Sequence, residues 1–200
     1  MEKSSRRFYS ITLFALFAGL AGCAIPPTTT PAAQSAWTLR QSELARLTRW
    51  RAMGRIGVIN GQDGWHANFE WAQQDPGYRI DLVGPLGQGR VLIESDGHTI
   101  AIQTQDGQHR IAPDPDTLLE QTLGVRLPVG GLRYWLRGLP EPGPTTAVQI
   151  DANGRLTRLE QNGWLIDYPS YTSVAAQALP DRIFARRQDL SVKLIIEHWQ

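Results

Sequence analysis

The stretch WHANFEW, residues Trp65–Trp71, alternates apolar and polar side chains over its whole length. In an extended chain, Trp65, Ala67, Phe69 and Trp71 point to one side and the polar residues between them point to the other. Such period-two alternation is typical of a β-strand with one face buried. Segments of similar character lie on both sides of this stretch, so the strand is the recurring unit of the chain.

Further segments are predicted to be strands, and about eleven strands in all are expected at the regular spacing of antiparallel β-proteins. They include YRIDL, RVLIES, TIAIQT, HRIA, AVQID, RLTRLEQ, WLIDYPSY, DRIFARR and LSVKLIIEHW. Asp-Gly or Asn-Gly pairs that lie between predicted strands, at 96–97, 106–107, 153–154 and 162–163, predict tight hairpins, in which both central residues need positive φ. This pattern favours an antiparallel barrel or a sandwich.

Three helices are predicted within this series of strands. The first is WTLRQSELARLTRW, residues 37–50, and the second is DPDTLLEQTLG, residues 114–124, with Asp114 as N-cap and Pro115 at the first helical position. The third lies in LPVGGLRYWLRGLP, residues 127–140, where apolar residues recur with helical spacing. Helices placed between strands are suited to covering the apolar face of an unclosed barrel.

The N-terminus has the features of an export signal. A basic start, MEKSSRR, is followed by FYSITLFALFAGL, an apolar run shorter than the roughly 20 residues that span a bilayer. Leu20 to Cys23 resemble the lipobox of bacterial lipoproteins, which implies acylation of Cys23 and removal of residues 1–22. The alternative is an ordinary signal peptide, although Cys23 is the only cysteine of the chain. Alanine at position 24, where inner-membrane lipoproteins usually have aspartate, implies an outer-membrane address.

The expected mature chain has two parts. Residues 23–36, rich in proline and threonine, are predicted to form a flexible tether, and residues 37–200 a single domain. Loss of residues 1–22 removes three basic residues and one acidic residue. The counts of 20 and 19 become 17 and 18, a net charge of −1. A basic surplus, which nucleic-acid-binding proteins show, is therefore missing.

Sequence motifs of catalysis are not apparent. The four histidines are scattered, there is no Gly-x-Ser-x-Gly elbow, and GPLGQG does not match a dinucleotide-binding loop. With Cys23 acylated, no cysteine is left as a nucleophile or metal ligand. The sequence therefore predicts a protein that is not an enzyme and that needs no cofactor and no metal.

One loop is unusual. In VGPLGQGR, residues 83–90, a turn between two predicted strands has Leu86 at its centre, between Pro85 and Gly87. The succession of GRIGV, WHANFEW, YRIDLVGPLGQGRVLIES and LPVGGLRYWLRGLP resembles the LolB family of outer-membrane lipoprotein receptors. The resemblance extends from the lipobox to the final LSVKLIIEHW, and so covers nearly the whole chain.

This resemblance implies an unclosed antiparallel β-barrel with an α-helical lid over a hydrophobic cavity. It implies a monomer, anchored to the outer membrane and facing the periplasm, that receives acylated lipoproteins from the soluble periplasmic carrier LolA and places them among the outer-membrane lipids. It also implies that the loop Pro85, Leu86 and Gly87 protrudes and takes part in delivery to the membrane.

Strand alternation and the third helix supply a candidate cavity lining. It comprises Phe69, Trp71, Ile80, Leu82, Val91, Ile93, Leu132, Trp135 and Leu136. The sequence leaves open which strand face points inward, and a solid core is the alternative for part of the set. Two other classes of protein are also open: a structural or cell-wall-binding lipoprotein without transfer activity, and a periplasmic hydrolase.

Overall fold

A long antiparallel sheet is the main element of the fold. A computed structural model describes residues 30–87, 89–113, 115–124 and 127–200. Within them the strands are β1 Arg49–Asn60, β2 Asp63–Gln74, β3 Gly77–Val83, β4 Val91–Ser95, β5 Ile100–Thr104, β6 His109–Ala112, β7 Ala147–Ile150, β8 Leu156–Gln161, β9 Trp164–Val174, β10 Gln177–Arg187 and β11 Leu190–Trp199. The helices are α1 Pro31–Ala45, α2 Pro115–Leu123 and α3 Val129–Trp135, and a short 3₁₀ turn spans Pro85–Gly87.

The strand order confirms the predicted unclosed antiparallel architecture. The order is β6-β5-β4-β3-β2-β1-β11-β10-β9-β8-β7, so the sheet is made of two meanders that are joined where β1 pairs with β11. The terminal strands β6 and β7 lie at opposite ends of this order and do not pair with each other. Helix α2 contacts β5 and β6, and so lies beside one open edge.

The sheet curls strongly around α3. Five inter-strand spacings separate β9 from β3, which amounts to ~24 Å in a flat sheet. A seven-residue helix is only ~10 Å long. Nevertheless Trp135 of α3 packs on Trp164 of β9 at 5.8 Å between ring centroids, while its neighbour Leu136 lines the same cavity as Ile80 of β3. The sheet must therefore bend toward itself, which gives it a concave inner face.

The inner face carries the apolar core. Phe69 and Trp71 of β2 and Ile80 of β3 are buried, whereas the polar residues that alternate with them on β2 are exposed. The pleat predicted from WHANFEW is therefore the one observed, although Trp65 is only half-buried. Toward one end of the sheet, Trp50 lies 5.7 Å from both Trp71 and Trp199 between ring centroids.

The first helix lies further toward the N-terminus than predicted. It spans Pro31–Ala45 rather than residues 37–50, and Trp50 belongs to β1, where it pairs with Gln73. The Thr30 hydroxyl accepts a hydrogen bond from the Ala33 amide at 3.2 Å, and Pro31 follows it at the first helical position. Both features favour a helix start. The prediction of a flexible tether over residues 23–36 is thus wrong for residues 31–36, which are helical. Cys23 and the signal segment lie outside the described residues.

The predicted hairpins are present, but only one has the expected backbone. Asn162 and Gly163 both have positive φ, 53° and 76°, whereas at the other three pairs only the glycine does. At the β4–β5 hairpin, the Asp96 carboxylate instead accepts hydrogen bonds from the amides of His98 and Thr99, each at 2.8 Å. Such a side-chain turn satisfies the loop without positive φ at the first position. Helix α2 begins at Pro115 as predicted, and its predicted cap Asp114 lies outside the described residues.

Gly54 marks a close approach between the two central strands. The β1–β11 register shifts between Met53 and Gly54. A Cβ added to Gly54 would lie 2.0 Å from the carbonyl oxygen of Ile195, far inside any permitted contact. The central ladder therefore requires glycine at this position.

We expect Gly54→Ala to lower the free energy of unfolding by about 3 kcal/mol, because the extra methyl group forces the two strands apart. Gly57→Ala is the matched control, since a Cβ there would have no neighbour within 4 Å. It should change stability by less than about 1 kcal/mol. Denaturant unfolding followed by circular dichroism measures both. Equal stability of the two variants would contradict this account of the β1–β11 contact.

Candidate functional site

An apolar cavity lies between the inner face of the sheet and the helices α2 and α3. Strands β1, β2, β3, β4 and β11 form its floor, and the two helices together with Leu127 form its roof. Its lining is apolar throughout: Ile56, Phe69, Trp71, Ile80, Leu82, Ile93, Leu119, Leu127, Val129, Leu132, Leu136 and Leu194. Such a surface offers contact to hydrocarbon and no fixed polar partner.

Seven of the nine residues predicted for the cavity lie in this lining, and all nine are buried. The other two, Val91 and Trp135, lie outside the cavity lining. Val91 is buried at the start of β4, opposite Leu82 and close to the 3₁₀ turn. Trp135 lies on a different side of α3 from Leu132 and Leu136, and faces β9.

Five lining residues were not in the predicted set: Ile56, Leu119, Leu127, Val129 and Leu194. Ile56 and Leu194 lie on the inner faces of β1 and β11, where the same alternation was available in GRIGV and LSVKLIIEHW. The other three belong to the roof. No short-range pattern in the sequence indicates which face of α2, or which residues before α3, meet the sheet.

The cavity is nearly closed in this structure. Its volume is about 30 Å³, which is room for about two water molecules at roughly 10–15 Å³ each. Pockets that hold small ligands usually measure roughly 300–1,000 Å³. A long acyl chain therefore fits only if part of the roof moves away from the sheet.

The C-terminal end of α3 is fixed to β8 through a buried amide. The indole Nε1 of Trp135 donates to Gln161 Oε1 at 3.3 Å, and Gln161 is 1% exposed. The same oxygen accepts from the Glu141 amide at 2.9 Å, and Gln161 Nε2 donates to the Glu141 carbonyl at 2.8 Å. Buried polar networks that are fully paired are rigid. This half of the roof is thus held in place.

Arg137 attaches the same end to α1. Its buried guanidinium donates through Nη1 to the carbonyls of Leu44 and Leu47, each at 2.9 Å, and through Nε to the Arg133 carbonyl at 3.2 Å. The group also lies 5.3 Å from the centroid of the Tyr134 ring. Burial lowers the pKa of Arg137, and the carbonyls and the ring supply the negative potential that keeps the cation in place.

We expect Arg137→Met to lower the free energy of unfolding by about 3 kcal/mol, because it leaves buried carbonyls without their donor. The amides around Leu44 and Leu47 should also exchange faster with deuterium. Arg133→Met is the control on the same helix. Its contact with Asp75, at 3.8 Å, is partly exposed and should contribute less than about 1 kcal/mol. A smaller effect at position 137 than at 133 would contradict the assigned role.

The second part of the candidate site is the 3₁₀ turn Pro85–Gly87 between β3 and β4. Leu86 at its centre is 98% exposed, and its backbone is left-handed, with φ 58° and ψ 22°. The turn is closed by a hydrogen bond from the Gly87 amide to the Gly84 carbonyl at 3.2 Å. A left-handed conformation costs about 1–2 kcal/mol for a residue with a side chain. The chain thus holds a leucine outward in a conformation that suits glycine.

The C-terminal side of this turn is held from the β5–β6 hairpin. Gln105 Oε1 accepts hydrogen bonds from the Gly89 amide at 2.6 Å and from the Arg90 amide at 3.2 Å. Arg90 in turn forms a two-pronged ion pair with Asp81 of β3, which raises the pKa of the guanidinium. The turn is therefore fixed by contacts on neighbouring strands, although its tip is exposed.

We expect Gln105→Ala to loosen the turn while the sheet stays intact. The Gly89 and Arg90 amides lose their acceptor, so their hydrogen exchange should accelerate about fivefold, as for the loss of one hydrogen bond. Gln103→Ala, two residues earlier on the outer face of β5, is the control and should leave those amides unchanged. Unchanged exchange in Gln105→Ala would show that the turn is held by other contacts.

Neither a cluster of metal ligands nor a membrane-spanning helix is found in the described part of the chain. No cluster of three or more His, Cys, Asp or Glu side chains there could hold a metal ion. Among the described helices, none is long and apolar enough to cross a bilayer.

Two solved structures have a similar fold. A LolA superfamily protein from Nitrosomonas europaea aligns with a TM-score of 0.53 over 84% of this chain and 92% of its own, at 9% sequence identity. A DUF1329 family protein from Desulfovibrio piger aligns with a TM-score of 0.50 over 86% and 93%, at 6% identity. At such identities the likeness shows the fold alone.

Sequence comparison defines the family. A family model described as "Outer membrane lipoprotein LolB" matches residues 48–199. The outer-membrane lipoprotein LolB of Nitrosococcus oceani is 37% identical over 194 residues, which is 96% of each chain. The corresponding protein of Pseudomonas savastanoi is 35% identical over 195 residues, 95% of each chain. The chain belongs to the LolB family, and it is an outer-membrane lipoprotein receptor of the lipoprotein localisation pathway.

Proposed function

We propose that the protein receives acylated lipoproteins from a LolA carrier and releases them into the outer membrane by covering their acyl chains in the cavity under α2 and α3. The observation that supports this proposal is the continuous apolar lining of the cavity, whose volume is only about 30 Å³. We further propose that the protein works as a monomer, faces the periplasm and performs no covalent chemistry.

The physical need for such a cavity is large. Exposure of one sixteen-carbon chain to water costs on the order of 12 kcal/mol, at ~0.8 kcal/mol per CH₂ group. A lipoprotein with several chains therefore needs cover at every step between its carrier and the membrane. A lining without polar partners recognises hydrocarbon of any identity. It also holds no single group firmly, which suits a protein that must give up its cargo.

Opening of the cavity requires a mobile part and a fixed part. The C-terminal end of α3 is fixed through Trp135 and Arg137, as described above. We assign the movement to α2, to Leu127 and to the start of α3, because Leu119, Leu127 and Val129 line the cavity from that side. Withdrawal of these side chains would extend the cavity along the inner face of the sheet.

Leu86 is assigned to contact with the membrane. Full burial of one leucine contributes only ~1.5–3 kcal/mol, which is too little to anchor a protein but enough to orient one that is already attached. Cys23, if acylated as the lipobox implies, supplies the anchor. Because α1 begins at Pro31, the chain from Cys23 to Thr30 reaches at most roughly 25 Å. The body is thus kept near the bilayer surface.

We expect Leu86→Glu to leave the uptake of cargo unchanged and to slow delivery into vesicles about tenfold, the factor expected for loss of one leucine contact. The assay follows a lipoprotein from a loaded carrier, through the full-length protein, into phospholipid vesicles. Leu39→Glu, at an exposed leucine on α1, is the control and should deliver normally.

Two outcomes would contradict the proposal. If wild-type protein takes no cargo from the carrier, the receptor role fails. If Leu86→Glu delivers as fast as wild type, the cavity role stands but the turn has no part in delivery. A variant that does not fold would instead assign Leu86 to the core, against its exposure.

A further inference from the structure

A groove on the outer face of the sheet lies directly beside the Leu86 turn. It has a volume of about 480 Å³ and runs across β1, β2 and β11 to the end of β3, where Val83 and Pro85 close it. Of its ten lining residues, three are Arg55, His66 and Lys193, and none is acidic. The groove thus combines an apolar end next to the turn with basic walls.

Lys193 supplies an unpaired positive charge. Within the described part of the chain it forms no ion pair, and its ammonium lies 5.8 Å from the centroid of the Phe184 ring. Arg55 is paired with Glu197 at 2.8 Å, but both side chains are largely exposed. His66 adds a hydrogen-bonding imidazole. The net charge at the groove is therefore positive.

The choice of lysine at this position is unusual for this chain. Its 20 basic residues comprise 18 arginines and two lysines, and the other lysine, Lys3, lies in the predicted signal segment. Arginine matches carboxylates through a flat, forked guanidinium and forms most of the ion pairs on this sheet. Lysine is a compact point charge, which suits a phosphate that approaches from a range of directions.

Gly57 forms an open part of the groove. It lies in the interior of β1 on the outer face, its φ is not positive, and a Cβ there would meet nothing within 4 Å. Gly54, three residues earlier, is required by the contact with Ile195, but the fold makes no such demand at Gly57. Glycine in a strand interior weakens the strand, and it often marks a place where a ligand approaches the backbone.

We propose that this groove binds the phosphate of a phospholipid headgroup when the Leu86 turn enters the bilayer. Lys193 and Arg55 hold the phosphate, His66 donates a hydrogen bond to it, and the open space above Gly57 receives the adjoining glycerol. Two observations favour a lipid: the complementary charge, and the continuity of the groove with the turn through Pro85. Ile59, 48% exposed on the same face of β1, extends this apolar surface. The inference rests on the proposed contact of Leu86 with the membrane.

The single lysine permits a direct test. Full-length lipidated protein is placed in vesicles of equal parts phosphatidylethanolamine and phosphatidylglycerol, and in vesicles of digalactosyldiacylglycerol, which has no phosphate. Acylation of the Lys193 amine by a water-soluble ester is then followed by peptide mass spectrometry. We expect this acylation to be about fivefold slower in the phospholipid vesicles, because one lysine gains about that factor from contact with an anionic surface. In an Arg158→Lys variant, the new lysine on distant β8 should react equally in both.

A second reporter separates this inference from the role of Leu86. In a Leu86→Cys variant, an environment-sensitive fluorophore on the new thiol reports whether the turn enters the bilayer. If the turn enters the bilayer and Lys193 reacts equally in both kinds of vesicle, the headgroup site is overturned and the delivery role of Leu86 stands. If the turn stays out of the bilayer and Lys193 is still protected by phospholipid, the membrane role of Leu86 falls, and so does the proposed coupling of the groove to entry of the turn. If neither signal appears, both are wrong.

The acylation of Lys193 also distinguishes two other possible occupants of the groove, inorganic phosphate and the loaded carrier. Equal protection of Lys193 by inorganic phosphate, added without phospholipid at the same phosphate concentration, would overturn the assignment to a membrane lipid. Protection by the loaded carrier without phospholipid would assign the groove to protein docking, and would overturn it as well.

A side chain placed in the groove tests whether the phosphate binds there. Gly57→Val should fold with an unchanged or higher melting temperature, because its side chain enters open space and valine suits a strand. The same variant should lose the protection of Lys193. If protection persists in folded Gly57→Val, the phosphate does not bind in this groove. Lys193→Gln should slow delivery about fivefold, and Lys193→Arg, which keeps the charge, should restore most of it.

Discussion

The covering of one apolar sheet face by a very short helix is the constraint on which the rest of the fold depends. An open sheet of eleven strands exposes its inner face to water unless something lies across it. Here α3, with seven residues, contacts both β9 and the cavity beside β3. It can do so only because the sheet curls. The curl, the concave face and the closed cavity therefore have one common cause.

The roof of this cavity combines polar fixation with apolar contact. Around Trp135 and Arg137, hydrogen bonds hold the end of α3 to β8 and α1. Toward α2, the surfaces that meet the cavity are aliphatic side chains. Hydrogen bonds depend on direction and resist displacement, whereas aliphatic contacts are exchanged readily for other hydrocarbon. In the proposed function, an acyl chain would therefore replace the contacts of α2 without breaking the network that keeps α3 in place.

The sequence predicted the features that depend on near neighbours. Alternation made Phe69, Trp71, Ile80 and Ile93 candidates for the inner face, and the turn residues located the hairpins. The errors came from long-range contacts. Trp135 has the helical spacing of a cavity residue, but it faces β9 because Gln161, 26 residues further on, accepts its indole hydrogen bond. The hydrogen bonds from Arg137 to the carbonyls of Leu44 and Leu47 join residues that are 93 and 90 positions apart in the sequence. No local pattern contains such information.

The first helix shows a different kind of error. Residues 31–36 have the proline- and threonine-rich surroundings of a tether, and composition alone predicts a flexible segment there. A single capping hydroxyl at Thr30 and Pro31 at the first helical position start a helix instead. The burial of Ala33 and Trp37 then stabilises it. Composition reports an average over a segment, whereas a helix start depends on one or two positions within it.

Leu86 can be explained only by something outside the folded chain. Its left-handed backbone would suit glycine, so the leucine side chain costs the fold about 1–2 kcal/mol. Within the folded chain no packing contact of the side chain offsets that cost, because the side chain is 98% exposed. Gln105 and the Arg90–Asp81 pair nevertheless keep the turn in this conformation. A residue that is unfavourable to the fold, yet fixed in place by its neighbours, is a candidate for contact with a partner. The proposed role of Leu86 assigns that contact to the bilayer, which is the apolar phase nearest to an outer-membrane lipoprotein.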